Sequence, residues 1–249
     1  MKLVQISDPH LVAPGKTLMG LDPFRRLDAC LSDVEARHGD ADLVLVSGDL
    51  SDSGGADTYA LLKQRLAHFS LPVRLLLGNH DHRAYFAAAF PGQVDGEGFA
   101  QAAIDLDGSR ILVLDTLDDG RVGGRLCPAR LRWLRARLAK AEGRPVYVFM
   151  HHPAGPVHMP ALDPLGLAEP EAFLDCLRRH GDVRHIFAGH LHRLVTGHWG
   201  GVPFTILRGT NHQTALDLVS RRTGPSFEAP AYAVIEARVQ TLVVHFSEF

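Results

Sequence analysis

Only three cysteines occur in the 249 residues, Cys30, Cys127 and Cys176, odd in number and far apart. Such a set supports neither a disulfide framework nor a CxxC zinc site, and Cys30 and Cys176 fall in amphipathic helical patterns where a buried thiol is expected. No run approaches the roughly 18 consecutive apolar residues that span a bilayer, so membrane insertion is not expected. A formal charge of −2 gives no overall attraction for a polyanion, which removes long nucleic acid from the expected partners. Internal repeats, heptads and low-complexity tracts are also missing. The opening residues, Met1 to Asp8, run straight into a strand pattern without room for a removable signal, and a cytoplasmic location is expected.

What is present is an ordinary globular balance, 46% hydrophobic and 22% charged, with enough length for a substantial core and with fifteen histidines. One domain over 1–249 is expected. Strand patterns at Lys2–Ile6, Asp42–Val46 and Val73–Leu77 alternate with helical spacing at Phe24, Leu27, Leu31 and Val34 and again over Ala56–Leu66. That alternation implies parallel pairing with right-handed crossovers, and such sheets place ligands beyond the carboxyl ends of their strands. A hairpin follows around Asp107-Gly108-Ser109, then a helix from Pro128, a strand over Val146–Met150, a helix from Pro170 through Leu177 and a strand over His185–Ala188. Further strands are expected near Phe204–Leu207, Tyr232–Ala237 and Leu242–Phe246. Loops at 11–23, 154–168 and 210–230 are candidate substrate walls or oligomer contacts.

Five polar outcrops sit at the ends of these strands: Asp8-Pro9-His10, Gly48-Asp49, Gly78-Asn79-His80-Asp81, His151-His152-Pro153 and Gly189-His190-Leu191-His192. Taken singly each has a plain structural meaning, since an Asp after a strand is usually a cap, Gly-Asn is a turn and a lone His is usually on the surface. Their joint, ordered occurrence points to one site. One intervening residue in an extended segment would put Asp8 and His10 on the same side, and likewise His190 and His192. Asp49 offers an oxygen pair able to bridge two cations, Asn79 an amide oxygen and His151 another imidazole, while Gly78 is expected to permit the turn. Seven oxygen and nitrogen donors without a thiolate exceed a single tetrahedral zinc site and suit two adjacent cations, with Mn, Fe, Co and Zn all compatible. Asp81 is expected either to orient a neighbouring histidine or to cap the following helix.

These residues resemble the calcineurin-like metallophosphoesterase superfamily, whose ordered motifs they match over nearly the whole chain. The resemblance implies an α/β fold of four layers, α/β/β/α, with two mixed sheets face to face, helices outside, and the metals at the strand carboxyl ends. It implies one metal held by Asp8, His10, Asp49 and His192, and a second held by Asp49, Asn79, His151 and His190, with Asp49 bridging. His151 is preferred to His152 because the family ligand precedes the residue before proline, and the doublet leaves the alternative open. His80 matches the family's substrate-facing histidine. Gly20-Leu21-Asp22-Pro23, His151-His152-Pro153 and Gly209-Thr210-Asn211-His212-Gln213 look like the bacterial cyclic-AMP and glycerophosphodiester phosphodiesterase group, whose members often oligomerise; Ala154 stands where a second proline is usual.

The resemblance therefore implies a phosphodiesterase acting on small diesters, of 3′,5′-cyclic nucleotide or glycerophosphodiester type, through attack of a metal-bridging hydroxide. Two divalent or mixed-valence ions are expected, Mn or Fe ahead of Zn or Co. His80 would protonate the leaving alkoxide or stabilise phosphate charge, and His212 would be a second phosphate contact. His82, His152 and Arg193 adjoin the motifs as supporting candidates, whereas His38, His68, His180 and His198 are expected at the solvated surface. The rivals are a phosphomonoesterase or protein phosphatase using the same site, and a noncatalytic interaction module of the same fold.

Overall fold

A computed structural model describes residues 1–249. Along the chain run β1 (Lys2–Ile6), α1 (Pro23–His38), β2 (Leu43–Ser47), α2 (Ala56–Leu66), β3 (Val73–Leu76) and α3 (Arg83–Ala89). The hairpin β4 (Ala102–Leu106) and β5 (Ser109–Val113) follows, then β6 (Gly124–Arg125), α4 (Pro128–Ala139), β7 (Val146–Phe149), β8 (Leu167–Ala168), α5 (Pro170–His180) and β9 (Val183–Ala188). The last strands are β10 (Val195–Trp199), β11 (Val202–Ile206), β12 (Gln213–Thr214), β13 (Pro225–Ser226), β14 (Ala231–Ala237) and β15 (Leu242–Glu248).

Two mixed sheets result. The first is ordered β15-β14-β1-β2-β3 and the second β10-β11-β9-β7-β5-β4. β1, β2 and β3 pair in parallel, as do β5, β7, β9 and β11 among their neighbours, while the edges add antiparallel strands. Both faces of each sheet are covered, which is why the central strands read as nearly continuous apolar runs. Val4, Ile6, Val44, Val46 and Leu75 pack outward beneath α1, α2 and α3. Leu112, Val148 and Ile186 do the same beneath α4 and α5. Their neighbours of opposite parity, Leu3, Leu45, Leu76, Val113, Phe149 and Phe187, meet between the sheets. Phe149 and Phe187 stack there with centroids 4.6 Å apart, and Phe149→Ala would cost about 3–5 kcal/mol.

Local chemistry sets the element ends. Asp22 caps α1 by accepting from the amides of Phe24 and Arg25 at 3.0 and 3.1 Å, and Pro23 occupies the first turn, which stops the 11–23 loop there. Three details differ from the sequence reading. β10 is an edge strand whose exposed Thr196, Gly197 and His198 hide its strand character. α5 continues to His180, ending at Gly181 in a left-handed conformation. The 154–168 loop contains a helical turn over Asp163–Leu165, and its last residues, β8, pair in parallel with β6.

Candidate metal centre

All five polar outcrops leave the carboxyl ends of parallel strands, Asp8 after β1, Asp49 after β2, Asn79 after β3, His151 after β7 and His190 after β9. Three come from one sheet and two from the other, so the residues converge where the sheets meet. The means of convergence differs from the expectation. Asp8, His10, Asp49, His190 and His192 are not extended; each has φ between 46° and 71°. Left-handed backbone is uncommon for side-chain-bearing residues and persists where surrounding contacts enforce it. At Asp8 the enforcement is visible: its carboxylate accepts from Ser7 Oγ and from the His190 amide at 3.1 and 3.2 Å. Beneath it, Gln5 Nε2 donates to Ser47 Oγ at 2.9 Å and to the Ala188 carbonyl at 3.0 Å, tying the sheets together under the site.

Gly78 opens the expected turn, its carbonyl accepting from the Asp81 amide at 3.3 Å. Its φ is not positive, and what it provides is clearance: a Cβ there would overlap Asp49 Oδ1 and stand 2.6 Å from His151 Nε2. Asp81 neither orients a histidine nor caps α3. Its buried carboxylate accepts from the amides of Leu50 and Ser51 at 3.1 Å each, Gly78 at 2.9 Å and Tyr59 Oη at 2.9 Å. It thus locks the outcrops after β2 and β3 to one another. Burial and then the charge of Asp49 push Asp81 up to about 6, against the pull of its backbone donors. The cap of α3 is His82, which accepts from the Tyr85 amide.

The imidazoles share one arrangement. His10 Nδ1 donates to Asp52 Oδ1 at 3.0 Å, His151 Nδ1 to the Ser47 carbonyl at 2.8 Å and His192 Nδ1 to the His212 carbonyl at 2.9 Å. Each leaves Nε2 turned inward, as metal-binding histidines are usually held. His10 Nε2 lies 3.0 Å from His192 Nε2 and 3.4 Å from Asp49 Oδ2, and His192 Nε2 is 3.4 Å from Asp8 Oδ1. On the other side His151 Nε2 is also 3.4 Å from Asp49 Oδ2, so that one carboxylate oxygen stands between two donor groups. Donors about 2.1 Å from a cation at octahedral or tetrahedral angles stand about 3.0–3.4 Å from each other. Asp8, His10, Asp49 and His192 form one such cluster.

The second group carries a different mark. Asn79 Oδ1, His151 Nε2 and His190 Nε2 are buried and have no hydrogen-bond partner. Orphaned buried polar atoms are rare, and Asn79 Oδ1 and His190 Nε2, together with His151 Nε2 at 3.4 Å from Asp49 Oδ2, fit donors a cation would take up. His152 is the contrasting case: Nδ1 is 2.8 Å from Thr116 Oγ1 and Nε2 is 3.2 Å from the Val122 carbonyl, so both nitrogens are engaged. The doublet divides geometrically, His151 Nε2 facing Asp49 and His152 bracing the loop before β6, while His151, His152 and His190 also present ligand atoms within 4.8 Å of one another.

Electrostatics follow the same division. Burial opposes charge on His10 and His151, but Asp49 and its neighbours overcome it and hold them up to about 10 and about 9. Asp8 is lowered to about 2, burial being outweighed by His192 and His151. His190 is lowered to about 3 by burial and then by His151. His80 is half exposed, with Nδ1 donating to the Asp52 carbonyl at 2.9 Å and its backbone amide to Asp49 Oδ1 at 2.9 Å. The His212 ring is tilted by 47° and 56° against those of His192 and His10, with centroids 4.2 and 5.0 Å away, and its Nδ1 is 3.2 Å from Asn211 Nδ2. Asp52 was not singled out from sequence, although its position three residues after Asp49 offered a signal; Ser7, Ser47 and Thr116 gave none. Arg193 is drawn away to Glu228 and the Thr214 carbonyl.

The centre opens into a cavity of about 280 Å³. Leu18, Met19, Val122, Leu162 and Leu165 supply apolar wall, and no lysine or arginine lines it.

A family model described as calcineurin-like phosphoesterase matches residues 1–194. The chain is 39% identical over 254 residues, covering 100% of itself and 93% of the relative, to a Rhodopseudomonas palustris protein named "Probable cyclic nucleotide phosphodiesterase". It is 30% identical over 218 residues, covering 86% of itself and 78% of the relative, to the glycerophosphodiester phosphodiesterase GpdQ of Enterobacter lignolyticus. Among solved structures, a dimetal phosphatase from Danio rerio aligns over 99% of this chain and 96% of that one with a TM-score of 0.75 at 17% identity, a likeness of fold.

Proposed function

The chain belongs to the calcineurin-like phosphoesterase family, and from that premise we propose that it hydrolyses small phosphodiesters at a two-cation centre. The observation that carries the reading is Asp49 Oδ2, equidistant at 3.4 Å from His10 Nε2 and His151 Nε2, with orphaned donors on the far side. Asp8, His10, Asp49 and His192 would hold one cation and Asp49, Asn79, His151 and His190 the other, with Mn or Fe the favoured metals and Zn or Co tolerated by the same donors. Bound there, two divalent cations neutralise phosphoryl oxygens and lower the pKa of a coordinated water.

The protein's side chains do the rest. His80 has Nδ1–H fixed on the Asp52 carbonyl, so a proton carried on Nε2 is the one available to a leaving alkoxide. Asn211 donating to His212 Nδ1 leaves His212 Nε2–H to donate to a phosphate oxygen. A diester brings one negative charge and two organic arms, and a cavity with apolar walls and no added cation suits it better than a dianionic monoester. The relatives' names, one for cyclic nucleotides and one for glycerophosphodiesters, support the diester class. In this reading the chain acts as one domain and works in the cytoplasm as a homo-oligomer; no helix is long and apolar enough to cross a membrane.

Turnover of bis(p-nitrophenyl) phosphate against p-nitrophenyl phosphate by one Mn-loaded preparation tests it. Faster diester cleavage is expected. A monoester preferred by tenfold or more would replace this reading with a phosphomonoesterase.

A further inference from the structure

The reaction cavity does not end at its apolar walls. Met19 and His212 also border a second cavity of about 130 Å³. Its other walls combine Arg26 from α1, Asn211 from the segment after β11, and Phe227 just after β13.

Three features there lack a purpose within the fold. Asn211 is 1% exposed, yet its Oδ1 has no partner, while its Nδ2 is committed to His212. A buried amide oxygen of this kind calls for an N–H or O–H donor. Phe227 is wholly exposed and Met19 is 57% exposed, so large apolar surfaces flank the opening without burying one another. Arg26 lines the cavity without a carboxylate in ion-pair reach, because Glu228, the acid on the same wall, is bound by Arg193 at 2.6 Å and Arg208 at 3.3 Å. A cation and flat apolar surface together fit a heterocycle that carries ring nitrogens and a π-face.

We propose that this second cavity is the subsite for the purine base of a nucleoside 3′,5′-cyclic monophosphate. The inference rests on the diester reading above and adds a choice within it. The phosphate lies over the donor cluster, the ribose passes His212, and the base reaches the second cavity. There a ring nitrogen or face meets Arg26, and Phe227 and Met19 cover the plane. A glycerophosphodiester has no group that fills this space.

The test compares cyclic AMP and glycerophosphoethanolamine on the Mn-loaded wild type and on Phe227→Ala and Arg26→Ala, with native mass measured alongside. Both substitutions are at side chains that are not in the core, so folding should survive, and a matching melting temperature checks that. The expected result is a KM for cyclic AMP raised about tenfold, the scale of one base stacked on an aromatic side chain, with kcat nearly unchanged and glycerophosphoethanolamine unaffected. Equal effects on both diesters, or none on either, would overturn the subsite while leaving the diester reading intact. Phe227→Ala that dissociates an oligomer without changing the cyclic AMP KM would reassign the ring to contact between copies. A wild type that cleaves neither diester removes the parent reading and the subsite with it.

Discussion

The two halves of the centre reach the same shape by opposite means. Around Asp8, His10 and His192 the donors face one another at 3.0–3.4 Å, two carboxylates lie within the group, and Asp49 and Asp52 hold a proton on His10. Around Asn79, His151 and His190 one shared carboxylate serves the group: His151 Nε2 meets only Asp49 Oδ2 at 3.4 Å, and Asn79 Oδ1 and His190 Nε2 are buried without a partner. The first half can satisfy itself without a cation; the second cannot. Two carboxylates against one also predict that the first half binds a divalent cation more tightly, since ligand charge sets affinity for hard ions.

Asp49→Ala breaks the comparison most severely, because it removes the oxygen both halves share. Loss of kcat/KM by about 10³-fold or more is expected, matching several kcal/mol of lost charge stabilisation, together with metal content below about one per chain. Retention of both cations would refute the shared carboxylate. Asp81→Ala attacks the scaffold instead: the amides of Leu50, Ser51 and Gly78 and the Tyr59 hydroxyl lose their acceptor. A destabilisation of about 3–4 kcal/mol by denaturant titration is expected, with Asp81→Asn losing less; a neutral Asp81→Ala would show that the two loops hold themselves.

His80→Ala separates chemistry from metal binding. A fall in kcat of about 10²-fold is expected with metal content retained, and an unchanged rate would remove His80 from the proton transfer. The mildest probe is pH. In the metal-free protein His10 and His151 hold protons up to about 10 and about 9, and both Nε2 atoms must lose them to bind a cation. Their folded pKa values are raised, so near neutral pH the protons are bound, and metal affinity should weaken as pH falls, by about tenfold per unit for each proton displaced. Calorimetry in buffers of different ionisation enthalpy reads the protons released. No release on loading would mean that these rings are already neutral.

The fold class was legible in the sequence because strand and helix periods alternate cleanly and each polar outcrop ends an apolar run. The same pattern placed the candidate donors. What stayed hidden lies in backbone and tertiary contact. A one-residue spacing suggested extended strands for Asp8 and His10, but the chain there turns left-handed, held by groups as distant as the His190 amide. Asp81 looked like a cap because it precedes a helix; its partners are supplied by Leu50, Ser51 and Tyr59, more than twenty residues earlier. The choice between His151 and His152 likewise depended on Thr116 and Val122, which no spacing rule connects to the doublet.

The most direct test of the two-half account is anomalous scattering from crystals of the Mn-loaded chain. It predicts two peaks, one within the Asp8, His10 and His192 donors and one within the Asn79, His151 and His190 donors, flanking the Asp49 carboxylate. A single peak at full loading, or a second one coordinated by His152 in place of His151, would contradict it.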